Sequence, residues 1–360
     1  MERTTPALEK PATQEAQGNH PRVELARVPA ALEHDPKRAV AHVLRHSQRV
    51  LITGHADPDG DVAGGCSALY VALSTLGKQP TLYNPDPFPA GYRHLPGAQH
   101  LVHRLPPDQA YDATIILDAA HPEKVDTYLP RPAQLRGTVL WVDHHDRTGP
   151  SGDVEWIDVE AAAMAEMLFP LFEELGVTVD ASIGMGLYAT LIADTGGFRY
   201  ESTTQAALNL AARLVGLGVK PWDVAEQVYE RQPVERVRLL SRVLATLHVG
   251  HSGRFACVTL SLNDLQDTGA TAAMADGMIN HARGIDGVEM AAQLEELGAQ
   301  RWRVTLRSRG FLEAGAVARV LGERGHRFGA SFVLHGGRDA VAKKLEDAVD
   351  HVVATAPLPG

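Results

Sequence analysis

The densest gathering of reactive side chains in this sequence follows a short apolar run: Leu51-Ile52-Thr53-Gly54-His55-Ala56-Asp57-Pro58-Asp59-Gly60-Asp61. Carboxylates a few ångströms apart raise one another's pKa and oppose folding unless metal ions or arginines neutralise them. Asp59 and Asp61, two positions apart, are able to address different cations, while Pro58 and Gly60 hold the turn tight. A plain acidic turn with a helix-capping aspartate explains one of these carboxylates, not three of them and a histidine.

Three further pieces carry the same chemistry. Asp118 follows the apolar run Thr114-Ile115-Ile116-Leu117; alone, such an aspartate reads as a turn former or a helix cap. A second apolar run, Val139 to Val142, empties into Asp143-His144-His145-Asp146. Consecutive side chains at a strand end face opposite ways, so adjacent histidines there each need a polar partner and make poor core residues. The apolar helical stretch from Leu187 ends at Asp194, followed by Thr195, Gly196 and Gly197. Glycine at a helix end is ordinary, but an acid there opposes the helix dipole and is misplaced unless it meets something positive.

Positioning these groups requires an alternation of strands and helices. The pattern predicts a helix over 36–47 capped by Asp35, and strands at 49–53, 80–83, 113–117 and 139–142. Such alternation implies a mainly parallel sheet with helices on both faces, whose ligands bind beyond the carboxyl ends of the strands. Every cluster named above falls at an element's end. Helices are expected at 204–217 and 221–247, the latter as a helical linker over 218–249. A smaller mixed α/β unit over 250–355 then has strands at 254–260, 288–295 and 301–308 and helices at 269–283 and 312–323. Residues 1–34, rich in proline and polar side chains, read as a flexible tail, leaving 35–217 as the unit that carries the acid and histidine clusters.

With 360 residues, two domains sharing a cleft are the reasonable architecture. The net charge of −10 argues against coating duplex DNA. Locally, Arg301, Arg303, Arg307, Arg309, Arg319, Arg324 and Arg327 stand against only Glu313 and Glu323, a patch suited to a small polyanion. The two cysteines, Cys66 and Cys257, lie in apolar or small-residue contexts without zinc spacing and read as buried hydrophobes. No apolar run is long enough to span a membrane, and a cytoplasmic protein is expected.

Taken jointly and in order, His55-x-x-Pro58-Asp59-Gly60-Asp61, Asp118, Asp143-His144-His145 and Asp194-Thr195-Gly196 resemble the DHH phosphoesterase superfamily. Leu306-Arg307-Ser308 with Arg324-Gly325-His326-Arg327 resembles the DHHA1 domain that follows in one branch. The resemblance implies one divalent cation on His55, Asp59 and Asp118, and a second on Asp61, Asp118, His144 and Asp194, with Asp118 bridging. It implies manganese, with magnesium or cobalt as substitutes, since the donors are oxygen and imidazole without thiolate. Asp143 is expected to orient a histidine and His145 to donate to a phosphate oxygen, so that Asp143, His144 and His145 form the catalytic group. Arg307, Ser308 and His326 are expected to grip phosphate or nucleotide, with Arg324, Gly325, Arg327 and Arg199 as further substrate contacts. Where the family carries Gly-Gly-Gly-His, this chain reads Glu323-Arg324-Gly325-His326, which loses the close backbone approach that glycine permits.

Among the branches, the chain resembles the bifunctional oligoribonucleases that trim short RNA to mononucleotides and dephosphorylate 3′-phosphoadenosine 5′-phosphate, and a homodimer is expected by that resemblance. Alternatives are a hydrolase of cyclic di-AMP or pApA, a RecJ-type single-stranded DNA exonuclease, and a catalytically idle nucleotide-binding regulator. The intact ligand positions weigh against the idle regulator.

Overall fold

The computed structural model describes residues 28–32, 34–107, 109–120, 125, 127–129, 137–146, 152–250, 252–325 and 327–355. Most of the expected N-terminal tail, and His326, lie outside these residues. The chain divides into two compact units, Met1–Arg231 and Gln232–Gly360.

The first unit runs α1 (Pro36–His46), β1 (Arg49–Gly54), α2 (Gly60–Thr75), β2 (Gln79–Leu82), β3 (Ala113–Leu117), β4 (Thr138–Asp143), β5 (Val154–Ile157), α3 (Met164–Leu175), α4 (Ala181–Asp194), α5 (Gln205–Gly216) and α6 (Pro221–Ala225), the last continued by a wider helical turn, Glu226–Glu230. Its strands form one parallel sheet in the order β2-β1-β3-β4-β5. Both faces are covered, which is why the strands read as continuous apolar runs. Val50, Ile52, Ile115 and Leu117 face the main core with the helices, while Leu51, Ile116 and Trp141 face a second cluster with Tyr83 and Tyr111. Asp35 caps α1 as expected, its carboxylate accepting from Arg38 N at 3.1 Å.

The second unit contains α7 (Val234–Ala245), β6 (His248–Val249), β7 (Phe255–Leu260), α8 (Leu262–Thr268), α9 (Ile279–Arg283), β8 (Met290–Gly298), β9 (Arg301–Ser308), α10 (Ala314–Val320), β10 (Gly329–His335) and α11 (Arg338–Thr355). Its mixed sheet has the order β10-β9-β8-β7-β6, parallel only between β7 and β8. The α/β reading therefore describes both units.

Two local expectations change. The segment expected as a helical linker breaks at Pro233, whose backbone is extended, and α7 buries Leu239 and Val243 against Ala256 and Val258 of the second unit. The helix expected over 269–283 is reduced to a tight turn at Ala272–Ala275 and the short α9, and a separate helix precedes it. Ser261 and Asp264 form a reciprocal cap that begins α8, and Gly269 at φ 70° ends it. Cys66 and Cys257 are both buried and unbridged. No helix among the described residues is long and apolar enough to cross a membrane.

Candidate active site

The strand order puts β1 between β2 and β3, so the chain's progression across the sheet reverses there. Beyond the carboxyl ends of strands at such a reversal lies a natural crevice. His55 leaves the end of β1, Asp118 the end of β3, and Asp143 closes β4 with His144 and His145 after it. Asp59 is the N-cap of α2, its Oδ1 accepting from Asp61 N at 3.0 Å and Val62 N at 3.1 Å. The cap thus uses one oxygen and leaves Oδ2 turned toward His55.

Asp194 arrives from the far side because α2 and α4 pack backbone to backbone. A Cβ on Gly64 would sit 2.6 Å from the Gly186 carbonyl, and one on Gly186 would sit 2.7 Å from that of Gly64. This close approach carries the carboxyl end of α4, with its dipole-opposed Asp194, to the start of α2, where Asp61 is fully buried. Asp118 takes a left-handed backbone, φ 52°, unusual for a residue with a side chain. Its N–H donates to the Val142 carbonyl at 3.1 Å, so strain is held in place by the neighbouring strand.

The resulting cluster brings all six expected ligand residues together. His55 Nε2 lies 3.7 Å from both Asp59 Oδ2 and Asp118 Oδ2. His144 Nε2 lies 3.3 Å from Asp61 Oδ2, 3.4 Å from Asp118 Oδ1 and 3.2 Å from Asp194 Oδ2. Donor atoms of His55, Asp59 and Asp118 are within 4.8 Å of one another, as are those of Asp61, His144 and Asp194. The histidines are also turned the right way. Nδ1 of His55 meets the Ala56 carbonyl at 2.8 Å and Nδ1 of His144 the Ala161 carbonyl at 3.0 Å, each therefore as a donor. That leaves both Nε2 lone pairs facing carboxylates, an arrangement suited to a cation between them. Buried His144 Nε2 and Asp118 Oδ1 have no hydrogen-bond partner among the described residues. Donors that converge without bonding one another fit a divalent cation.

Electrostatics reflect the crowding. Burial lowers His55, but Asp59 and Asp118 outweigh it and raise the group to about 9. Burial likewise opposes His144, which the three surrounding carboxylates hold far above its ordinary value. His145 is raised to about 10 by Asp118 and Asp143, against burial. Burial raises Asp194 to about 6, helped by Asp118 and opposed by His144. Asp118, despite burial, is held below the usual range by its two histidines. Asp143 serves His145 rather than His144: its Oδ1 accepts from His145 Nδ1 at 2.9 Å and His145 N at 3.1 Å.

Several residues that hold this site gave no signal in the sequence. Buried Asn84 donates from Nδ2 to the His55 carbonyl at 2.8 Å, and Trp141 Nε1 donates to the Ala119 carbonyl at 3.2 Å. Met164 N, at the start of α3, donates to both Asp61 oxygens at 3.1 and 3.2 Å. Tyr92 places its phenol tip against Gly60, where a Cβ would overlap it. Only an acidic or aromatic residue near a turn marks such positions in sequence, and many turns have one.

The expected substrate contacts are more scattered. Arg199 is exposed, with Nε donating to the Gly196 carbonyl at 2.6 Å. In the second unit Arg307, Arg324 and Arg327 are exposed and Gly325 half-buried, with Ala330 and Gly315 against the place a Cβ would take. Ser308 departs from the expected role. Only 3% of it is exposed, and its hydroxyl donates to the Leu312 carbonyl while accepting from Gly310 N at 2.8 Å, so it fastens a turn.

Residues 49–193 match the model of the DHH family, N-terminal domain. The chain belongs to the DHH family of phosphoesterases. It is similar to the bifunctional oligoribonuclease and PAP phosphatase NrnA of Thermus thermophilus, 34% identical over 83% of this chain and 88% of that relative. The protein of the same name from Bacillus subtilis is 25% identical over 82% of this chain and 93% of its own. Among solved structures, an exopolyphosphatase-related protein from Bacteroides fragilis superposes with a TM-score of 0.82 at 21% identity, covering 89% of this chain and 97% of that one, a likeness of fold.

Proposed function

We propose that the protein is a two-metal phosphoester hydrolase that degrades short oligoribonucleotides to mononucleotides and dephosphorylates 3′-phosphoadenosine 5′-phosphate in the cytoplasm. The observation that carries this reading is the pair of inward-facing Nε2 lone pairs, on His55 and His144, with Asp118 between them. His55, Asp59 and Asp118 would hold one cation, and Asp61, Asp118, His144 and Asp194 the other. Manganese suits these oxygen and imidazole donors, with magnesium or cobalt as substitutes. Bound there, divalent cations supply Lewis-acid stabilisation of phosphoryl charge and make the attacking water more acidic.

The chain's own residues do the rest. The Ala56 and Ala161 carbonyls fix the tautomers of His55 and His144, so that neither ring turns to offer a proton where a lone pair is needed. His145, with Nδ1–H given to Asp143, would present its Nε2 to a phosphoryl oxygen. The arginines of the second unit, Arg307, Arg324 and Arg327, suit the phosphates of a short nucleotide. The substrates are supported by similarity to the Thermus relative and by the local basic patch on an acidic chain.

The test is product analysis with manganese-loaded protein offered, separately, a short RNA, 3′-phosphoadenosine 5′-phosphate, pApA, cyclic di-AMP and long single-stranded DNA. Mononucleotides from the short RNA and adenosine monophosphate from the second substrate are expected. Exclusive use of cyclic di-AMP or long DNA would keep the chemistry and reject the substrates; no turnover of any would reject both.

A further inference from the structure

Two phenylalanines of the second unit each lie beside an arginine. Arg254 Cζ stands 5.1 Å from the Phe311 ring centroid and Arg327 Cζ 5.1 Å from that of Phe328. The two pairs differ in what else the cation meets. Arg254 is ion-paired with Glu289 at 3.2 Å, which completes a neutral surface contact. Arg327 is exposed and has no carboxylate partner among the described residues, and the same holds for Arg309 and Arg324.

The Phe328 ring is 50% exposed, yet its backbone is fixed. The Phe328 carbonyl accepts from Ser308 N at 2.9 Å, and the Arg327 carbonyl from Ala314 N at 2.8 Å. Beside the ring is Gly310, whose φ of 118° suits only glycine and whose missing side chain leaves the ring edge uncovered; a Cβ there would reach Phe328 Cε1 at 3.8 Å. Arg307 lies against the next residue, its Nη1 2.6 Å from where a Gly329 Cβ would be. A single exposed phenylalanine needs no explanation. A rigidly mounted one, with the guanidinium of exposed Arg327 over one side of its ring, matches a ligand that is both flat and anionic.

We infer that Phe328 is a stacking platform for a nucleobase, with Arg327 taking the phosphate attached to it. This rests on the nucleotide-hydrolase reading above and names the part of the nucleotide that the second unit recognises. Stacking on an aromatic face is tolerant of base identity, so the platform would select nucleotides over other phosphate esters without selecting a sequence.

Calorimetric titration of the full chain with adenosine 5′-monophosphate and with ribose 5-phosphate separates base from phosphate. The nucleotide should bind about tenfold more tightly, the scale of one base–aromatic stack. Phe328→Ala and Phe328→Leu should erase that preference, and Phe328→Trp should keep it. An equal preference in Phe328→Ala, or none in the parent protein, overturns the platform. Dinucleotide turnover is scored apart. Hydrolysis with a preference independent of Phe328 removes the platform alone, whereas a Phe328-dependent preference without hydrolysis removes the hydrolase reading alone.

Discussion

The carboxyl end of the parallel sheet and the basic end of the second sheet both collect charge, but on opposite terms. In the first, Asp61 and Asp118 are buried beside His144, and each position is fixed by backbone hydrogen bonds from a different element. In the second, Arg307, Arg309 and Arg327 stand in solvent on a frame that Ser308 and Gly310 fasten. Buried like charges cost stability until something neutralises them, while exposed arginines cost little and bind weakly one at a time. Chemistry demands the first kind of site; recognition of a mobile ligand is served by the second.

The sharpest break in that comparison is Asp118→Ala. Removing the residue shared by both donor groups should lower kcat/KM on a short RNA by about a thousandfold or more, the scale of losing metal stabilisation of the transition state. Arg327→Ala should act mainly on KM, by about tenfold, because one exposed charge-assisted contact is lost. Steady-state kinetics on both variants decides whether the two ends divide the work in this way. Equal losses in kcat would refute the division.

Stability should follow pH at one end only. In chelator, His55, His145 and Asp194 bind protons more tightly folded than unfolded, with folded values of about 9, about 10 and about 6. A raised folded pKa means stability that is fully present below the unfolded value and lost as pH rises through the folded one. For Asp194 that loss falls between about pH 4 and 6, and for the histidines between about pH 6.5 and 10. Asp118, shifted downward, has the opposite sign and acts only under strong acid. Thermal melting in chelator should therefore decline steadily from about pH 5 to 10. Manganese competes with these protons for the same lone pairs, so its stabilisation should grow with pH and vanish in Asp118→Ala. A chelated protein that melts independently of pH contradicts this account.

A smaller effect is expected at Gly60. A Cβ there would overlap the Tyr92 phenol tip and stand 2.7 Å from Ala193 Cβ. Gly60→Ala should cost about 1–3 kcal/mol in urea unfolding, as overpacking does, and Tyr92→Ala introduced with it should recover part of that loss. If Gly60→Ala is neutral, the glycine serves only to open the turn.

Much of the first site was legible because ligands must be acid or imidazole and must stand at element ends, so residue type and position speak together. His55, Asp59, Asp61, Asp118, His144 and Asp194 meet in space as their sequence settings implied. What was not legible is support. Asn84 and the Ala161 carbonyl act through geometry set by distant segments, and nothing in their own neighbourhoods announces it. The helical boundaries beyond residue 217 differ for a related reason: Pro233 and Gly277 break segments whose apolar spacing reads as continuous helix. The second unit's last strand and helix, Gly329–His335 and Arg338–Thr355, lie beyond the elements that the sequence pattern predicts. Their apolar residues complete a core shared with β9 and α10.

Ser308 is the finest point at which the two ends can be compared, because resemblance made it a substrate contact and geometry makes it a fastener. Its hydroxyl has both of its hydrogen bonds within the 308–312 turn, so it has no proton left for a phosphate. Ser308→Ala should then lower stability by about 1 kcal/mol, the worth of a buried hydrogen bond. The KM for a short RNA should rise modestly and in step with that of Gly310→Ala, which disturbs the same turn by another route. A Ser308→Ala protein of undiminished stability and a KM raised as far as that of Arg327→Ala would return the hydroxyl to the ligand and leave the turn to its backbone alone.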